Sequence, residues 1–461
     1  MAVSAPPAAP PRLGPVFAVV IAGVAMSNLD LFIVNVALPV VGDHFAGSSL
    51  ASLSWILNAY AVVFAALLVP AGGFADRTSP RRAYLAGVAV FTAASVLCAL
   101  APSVWALVAA RVLQAAGAAL LMPASLGLLL AAAPADRRVT MIRAWTAAGG
   151  VAAALGPVAG GLLTALDWRW VFLVNVPIGV AALLAGRRVL PATPGHATGS
   201  RPDLPGAALL TAAIALLALG LVKAEDWGWS SAGVPGSLAA SAVLLAVFFA
   251  WDARRESPIV PLGLLRTSGF GAATAANLLF SVAFAAMLLG IVLWAQTAWA
   301  WSALRTGLAV APGPLMVPAL AIGAAPLVRR WGPAPVAIAG AAFFAAGNLW
   351  WAARIGLEPD YPTGMLPGML LTGIGVGLTL PTLVSAAVSV LPPQSFSTGS
   401  AVVTMARQIG SVIGVAALVA VLGRPATAGE ALTAADHGWL FIAAATAATA
   451  ASTLMMRRSS E

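Results

Sequence analysis

Charge is scarce in this chain: Asp, Glu, Lys and Arg together make up 8% of its 461 residues. Soluble domains carry about 25%, so a soluble fold is excluded unless something other than a polar surface covers the apolar residues. Cysteine occurs once, at Cys98 inside an apolar run, which excludes an internal disulfide. The three histidines, His44, His196 and His437, are scattered through loops or span ends. With no cluster of catalytic or metal-ligating side chains, nothing points to a membrane-embedded enzyme, a cofactor or a metal. There is no P-loop either, so the chain has no means of its own to use a nucleotide. Lysine is almost absent, with Lys223 standing alone among arginines.

Apolar residues dominate instead, at 61%, and the mean hydropathy is +0.96. A net charge of +9 suggests nucleic acid at first sight. The basic residues, however, come in short clusters between apolar runs rather than in one stripe or tail, so no nucleic-acid partner is expected. A helix needs roughly 20 apolar residues to cross a hydrocarbon core of roughly 30 Å. With charged and Pro/Gly-rich breaks as boundaries, spans fall near 16–41, 52–74, 82–101, 104–130, 139–165, 169–190, 204–223, 234–251, 268–297, 303–328, 333–354, 364–391, 398–422 and 437–456. The stretch 268–297 is long for one span and too short for two.

Loop charge checks the count. Arg12, Arg77, Arg81, Arg82, Arg137, Arg138, Arg143, Arg187, Arg188, Arg201, Arg254, Arg255, Arg266, Arg329, Arg330, Arg457 and Arg458 all fall in one set of alternate loops or span ends. The opposite set holds only Arg169, Lys223, Arg305, Arg354 and Arg424. Basic loops face the cytoplasm, and a missed span would swap every later loop, so the bias supports fourteen crossings with both termini cytoplasmic. Trp55, Trp105, Trp168, Trp170, Trp227, Trp229, Trp299, Trp301 and Trp439 fall near the outer ends, where an interfacial belt is expected. Residues 1–15 are rich in Ala and Pro and are expected to be a disordered lead rather than a cleavable signal.

Motifs follow in order along these spans. Leu29–Pro39 reads LDLFIVNVALP, Trp55–Tyr60 WILNAY, Gly72–Arg82 GGFADRTSPRR, Arg111–Gly117 RVLQAAG, Gly156–Gly161 GPVAGG, Trp168–Pro177 WRWVFLVNVP, Trp227–Trp229 WGW and Arg407–Gly410 RQIG. Over nearly its whole length the chain resembles the fourteen-span drug:proton antiporters of the major facilitator superfamily. It departs from their pattern at Phe32, where threonine is more common, at Ser79, where glycine is typical, and at Ala152, where an upstream glycine is often found. The resemblance implies an all-α integral membrane fold arranged as 6 + 2 + 6: a bundle over 16–190, two additional helices within 191–267, a second bundle over 268–456 and a tail at 457–461. It also implies proton-coupled export of lipophilic compounds by alternating access, from a bacterial plasma membrane. A dedicated exporter of one metabolite, lipid or endogenous antibiotic is the alternative. The partners expected are a lipophilic small-molecule substrate, protons and membrane lipid, around a monomer. A sugar or ion uptake symporter fits less well, given the Gly156-Pro157 motif and the two extra spans.

Asp30 is the most informative residue, because of the fifteen acidic residues it alone falls deep within a predicted span. Holding such a charge at mid-membrane costs about 2.5–3.5 kcal/mol even on lenient insertion scales, which points to function. Counting about 1.5 Å per residue from the span ends brings Arg111 to a similar depth, with Gln114 one turn further on the same face. The expectation is a switchable Asp30–Arg111 pair for proton coupling, against a permanent structural ion pair. Asp76, Arg77 and Arg81 are expected to form an electrostatic latch in a cytoplasmic loop. Gly156, Pro157, Gly160 and Gly161 combine close helix approach with a kink, suited to a hinge or seal. Asn35, Tyr60, Gln114, Asn277, Gln296, Arg407 and Gln408 are candidates for the substrate cavity. One intramembrane acid against two arginines favours neutral, zwitterionic or weakly anionic amphipathic substrates.

Overall fold

The computed structural model describes residues 13–134, 137–191, 203–229, 231–256, 258–260, 262–266, 269–391 and 396–458, which are helical with no strand among them. Helices α1 (Leu13–His44), α2 (Leu50–Thr78), α3 (Pro80–Ala99), α4 (Val104–Ala132) and α5 (Arg138–Thr164) make the first five crossings. One turn, α6 (Trp170–Leu173), leads into α7 (Asn175–Val189) for the sixth. Two peripheral crossings follow, α8 (Leu204–Val222) and α10 (Gly233–Asp252), joined by the short α9 (Ala224–Trp227). After another short turn, α11 (Leu262–Leu265), come α12 (Phe270–Thr297), the paired α13 (Ala303–Val310) and α14 (Pro312–Trp331), and α15 (Pro333–Arg354). A π-helical turn, Tyr361–Met365, opens α16 (Leu366–Ser389), and α17 (Phe396–Leu422) and α18 (Ala428–Arg458) complete the chain.

Among the described residues, thirteen helical stretches are long and apolar enough to cross a membrane. The remaining expected span, 139–165, falls on α5, whose Ala148–Thr164 stretch is apolar over a shorter length. The protein is thus an all-α multi-pass membrane protein, and the fourteen-span reading agrees with the helices. Several boundaries move. The ambiguous 268–297 is one unbroken helix of 28 residues, long enough at about 1.5 Å per residue to overshoot the hydrocarbon core. The span at 303–328 is two helices, because Pro312 starts α14 immediately after Ala311. The last span begins at Ala428 rather than 437, which places Asp436 two turns inside α18 instead of at its start.

The expected loop around Asp76, Arg77 and Arg81 is not a loop. Helix α2 continues to Thr78, and α3 starts at Pro80, so only Ser79 separates them. Ser79 is extended (φ −179°, ψ 125°), a conformation open to any residue, and Pro80 supplies the fixed φ that suits a helix's first position. Glycine is not needed there. The side chains of Asp76 and Arg77 lie outside the described residues, as do residues 1–12, Arg201 and the side chains of Arg138, Arg457 and Arg458.

Two bundles are built the same way. In the first, α3 and α4 approach closely, with Gly87 against the backbone of Gly117 and Leu121, and Gly117 against that of Phe91. In the second, α15 and α16 repeat this, with Gly340 against Gly375 and Gly375 against the backbone of Phe344. Both pairs use Gly-x-x-x-Phe on one helix and a glycine on the other. Small residues are what lets helices associate where lipid removes the hydrophobic drive between them. Likewise Gly156 and Gly160 seat α5 on α1, while Gly410 and Gly414 seat α17 on α12. The pair α8 and α10 lies outside this frame, held together by Ser241 Oγ donating to the Ala213 carbonyl at 2.7 Å. Helix α8 packs on both α2 and α17, so it covers the seam between the bundles on that side.

The tryptophans divide into two groups. Trp105, Trp170, Trp227 and Trp229 are exposed, as a belt requires, but Trp168, Trp299, Trp301 and Trp439 are buried. These pack on one another and on neighbours: Trp299 on Trp301 at 4.9 Å, Trp301 on Tyr361 at 6.2 Å and Trp439 on Trp351 at 5.2 Å between ring centroids. For Trp168, Trp299 and Trp301 the reason is connectivity: short turns such as Ala298–Ser302 fold back over the helix ends and carry their rings inward. Trp439 instead points inward from within α18.

Candidate functional site

Asp30, 1% exposed in the middle of α1, gathers side chains from α4 and α7. Its Oδ2 accepts from Arg111 Nη1 in a fully buried ion pair. Its Oδ1 accepts from Gln114 Nε2 at 2.8 Å and from Asn175 Nδ2 at 3.0 Å. Gln114 Nε2 also donates to Ser95 Oγ at 2.9 Å, and that hydroxyl in turn donates to the Phe91 carbonyl at 2.8 Å. Arg111 Nη1 shares Gln114 Oε1, and Arg111 Nε donates to the Ile56 carbonyl of α2 at 3.1 Å. The Tyr60 ring lies 4.2 Å from the guanidinium carbon. Desolvated cation–π contacts of this kind contribute about 2 kcal/mol. Ser27 stands 3.4 Å from the Tyr60 hydroxyl. Every donor to the carboxylate is an N–H, the set an anionic acceptor satisfies.

Five helices of the first bundle therefore meet around this cluster, α1, α4 and α7 at the carboxylate itself and α2 and α3 through Arg111 and Gln114. Arg111 and Gln114 share a face of α4 at i, i+3 spacing, while Asn175 is the first residue of α7 and reaches in from the helix start. Sequence reasoning paired Asp30, Arg111 and Gln114 by depth. It missed Asn175 and Ser95, although Asn175 stands in the Trp168–Pro177 motif and so had a signal.

The glycine motif sits at a three-helix junction. Gly156 faces Phe32 and Gly160 faces the Ile33 carbonyl and Val36, both on α1. Gly161 faces α13, against Ala303, Leu304 and Gly307, and Gly307 in turn faces the Pro157 carbonyl. The motif thus joins the first bundle to the second at the tryptophan-rich end. Gln296 Nε2 adds a bond to the Val36 carbonyl at 2.9 Å, again from the second bundle to the first.

Exposure changes sharply along the two central helices. On α1 the residues Ile33 to Leu38 are all buried, and on α12 so are Ala286 to Ala295. On the arginine-rich side of these stretches, half-buried and exposed positions recur, among them Asn28, Leu29, Phe32, Leu278, Leu279 and Phe284. Phe32 and Phe284 meet edge to face at 6.0 Å where the change occurs. Along these two helices packing is tighter toward the tryptophan-rich end and looser toward the arginine-rich end, with this aromatic pair at the boundary.

Most of the cavity candidates are enclosed in this conformation. Tyr60 and Gln114 belong to the Asp30 cluster, and Asn35 is buried, donating to the Leu31 carbonyl at 3.2 Å. Asn277 is buried between α12 and α17, donating to the Val403 carbonyl at 3.1 Å. Gln408 is 1% exposed. Arg407 differs: it is half-buried, and no side chain among the described residues pairs with it. Of the expected latch, Arg81 Nη2 donates to the Arg187 carbonyl in the last turn of α7, the placement that free carbonyls and the helix dipole favour for a cation.

The sequence pattern of the Major Facilitator Superfamily matches residues 20–415. The chain belongs to this superfamily. It is 33% identical over 402 residues to the methylenomycin A resistance protein of Streptomyces coelicolor, covering 87% of this chain and 84% of that one. It is 35% identical over 417 residues to the cephamycin export protein CmcT of Amycolatopsis lactamdurans, covering 90% and 86%. Among solved structures it is similar to an autoinhibited peptide transporter of the POT family, with a TM-score of 0.68 at 19% identity over 96% of this chain and 97% of that one. At that identity the likeness speaks for the major facilitator fold alone.

Proposed function

We propose that the protein exports lipophilic or amphipathic small molecules, drugs or natural products, in exchange for protons by alternating access. The observation that carries this is the Asp30 cluster, an acid and a base buried together at mid-membrane beside the inter-bundle junction. Relatives named for resistance and export support the substrate side of the reading.

In this reading the units 16–190 and 268–456 rock about the Gly156–Gly161 junction, and the described conformation faces the cytoplasm. Asp30 alternates between the Arg111-paired anion and a protonated form that releases Arg111. Because all of its partners lie in one bundle, the change reaches the other bundle through α1, where Phe32 and Val36 follow Asp30 within two turns. Arg81 and its neighbours hold the arginine-rich end as a latch. The protein works as a monomer in a bacterial plasma membrane, with both termini cytoplasmic and lipid around it.

The test is uptake into everted membrane vesicles, where export runs inward, of a panel of lipophilic fluorescent compounds. Export that stops when a protonophore collapses the gradient supports antiport. Export unaffected by the protonophore, or none of any compound, contradicts it.

A further inference from the structure

We propose that Arg407 is the anchor for the anionic head of the substrate, so that the transported molecules are amphipathic acids. This rests on the export reading above and specifies its substrate class.

The first support is charge. Of the two arginines deep within spans, Arg111 is neutralised by Asp30 and enclosed by Gln114, Tyr60 and the Ile56 carbonyl. Arg407 has no carboxylate and no side-chain hydrogen-bond acceptor among the described residues, so among them its positive charge has no partner. A charge deep within a span is costly, and side chains that bear it face the bundle interior or a water-filled path.

The second is placement. Half-buried Ser400, Thr404, Arg407 and Ser411 recur at helical spacing and form one polar stripe on α17. Neighbouring positions of the helix are taken up by packing: Val403 and Gly410 lie against α12. The other half-buried residues nearby, Ala401, Ile409 and Ile413, are apolar. Among the described residues of the helix, the stripe is thus the polar face that is not fully packed.

The third is what lies beside it. Val403 is level with Asn277, and Gly410 with Leu278 and Ser281, so Arg407 lies at the level of Asn277 to Ser281. Phe284 is then one to two turns further toward the tryptophan-rich end, roughly 5–10 Å away at 1.5 Å per residue. A guanidinium below an aromatic pair recognises a molecule with a carboxylate or similar anion at one end and a lipophilic body at the other. Arg offers forked donors to a carboxylate, which a lysine cannot reproduce.

The experiment measures binding of dansyl-aminooctanoate and of the matching octanamide to the full-length protein in zwitterionic-lipid nanodiscs. The parent is compared with Arg407→Gln and Arg407→Lys. The expected result is a preference of about tenfold for the carboxylate, the scale of one charge-assisted hydrogen bond. Arg407→Gln removes the preference while amide affinity stays, and Arg407→Lys keeps part of it. Equal binding of both probes by the parent, or a preference that survives in Arg407→Gln, overturns the assignment, while export of the amide in the vesicle assay above leaves the export reading standing. Binding of neither probe in nanodiscs, together with export of neither in the vesicle assay, overturns both. Loss of the preference when phosphatidylglycerol is added assigns the site to a lipid headgroup instead and overturns the substrate role.

Discussion

Asp30 accepts three N–H donors from two helices, and this makes its removal costly in a specific way. Asp30→Asn leaves Arg111 buried without a counter-charge, and breaking a buried pair from one side costs about 3–5 kcal/mol. Thermal unfolding in detergent should show a clear loss of Tm for Asp30→Asn, partly restored in Asp30→Asn/Arg111→Gln, where both charges are gone. An unchanged Tm in the single variant would mean the pair does not form. Tyr60→Leu should lower Tm by less, since it removes the ring over the guanidinium and leaves the ion pair in place. The acid and its arginine were legible in the sequence because charge inside a span is rare and depth can be counted from the ends. Ser95 was not, because neutral polar residues are common in spans, and Asn175 showed only as part of the Trp168–Pro177 motif. Which helix faces which also has no local signature.

Individual helices carry the closure at the tryptophan-rich end. A side chain at Gly161 would meet the α13 backbone at Ala303 and Leu304, and one at Gly307 would meet the Pro157 carbonyl. Gly161→Val should therefore prop this end open. A membrane-impermeant maleimide applied from that face should label Phe284→Cys faster in the Gly161→Val background, and unchanged labelling would remove the motif from the seal. Cys98 is fully buried and should contribute little background. Asp360 gives a contrasting, pH-linked case at the entry of α16. It caps the π turn, and its pKa is lowered by the Thr363 hydroxyl, with help from the Thr363 N–H at 3.1 Å. A depressed carboxylate pKa stabilises above its unfolded value and loses that contribution as pH falls through the folded one. The loss thus lies below about pH 4, and Asp360→Asn should leave the transport profile between pH 5 and 8 superimposable on the parent. A shifted profile would place proton coupling at this turn. The Gly156–Gly161 motif showed in the sequence as close-packing chemistry. That it joins three helices did not, since α13 lies far along the chain. The supposed loop at Asp76 also hid a helix, because polar residues at a span's end read as a break even where the backbone continues.

At the scale of the whole molecule, the crossings were written in hydropathy, and the helices follow them. The inward placement of four tryptophans was not, because for Trp168, Trp299 and Trp301 it depends on where a short turn folds, and for Trp439 on which face of α18 meets its neighbours. What remains is motion between the bundles, with Asp30 on α1 and the Phe32–Phe284 contact at their boundary. The most direct measurement is substrate-driven proton flux in proteoliposomes with parent and Asp30→Asn protein side by side. The account predicts that the parent exchanges protons for substrate, while Asp30→Asn binds substrate without proton movement or uphill transport. If Asp30→Asn still pumps against a gradient, proton coupling lies elsewhere and the Asp30–Arg111 pair is only a brace.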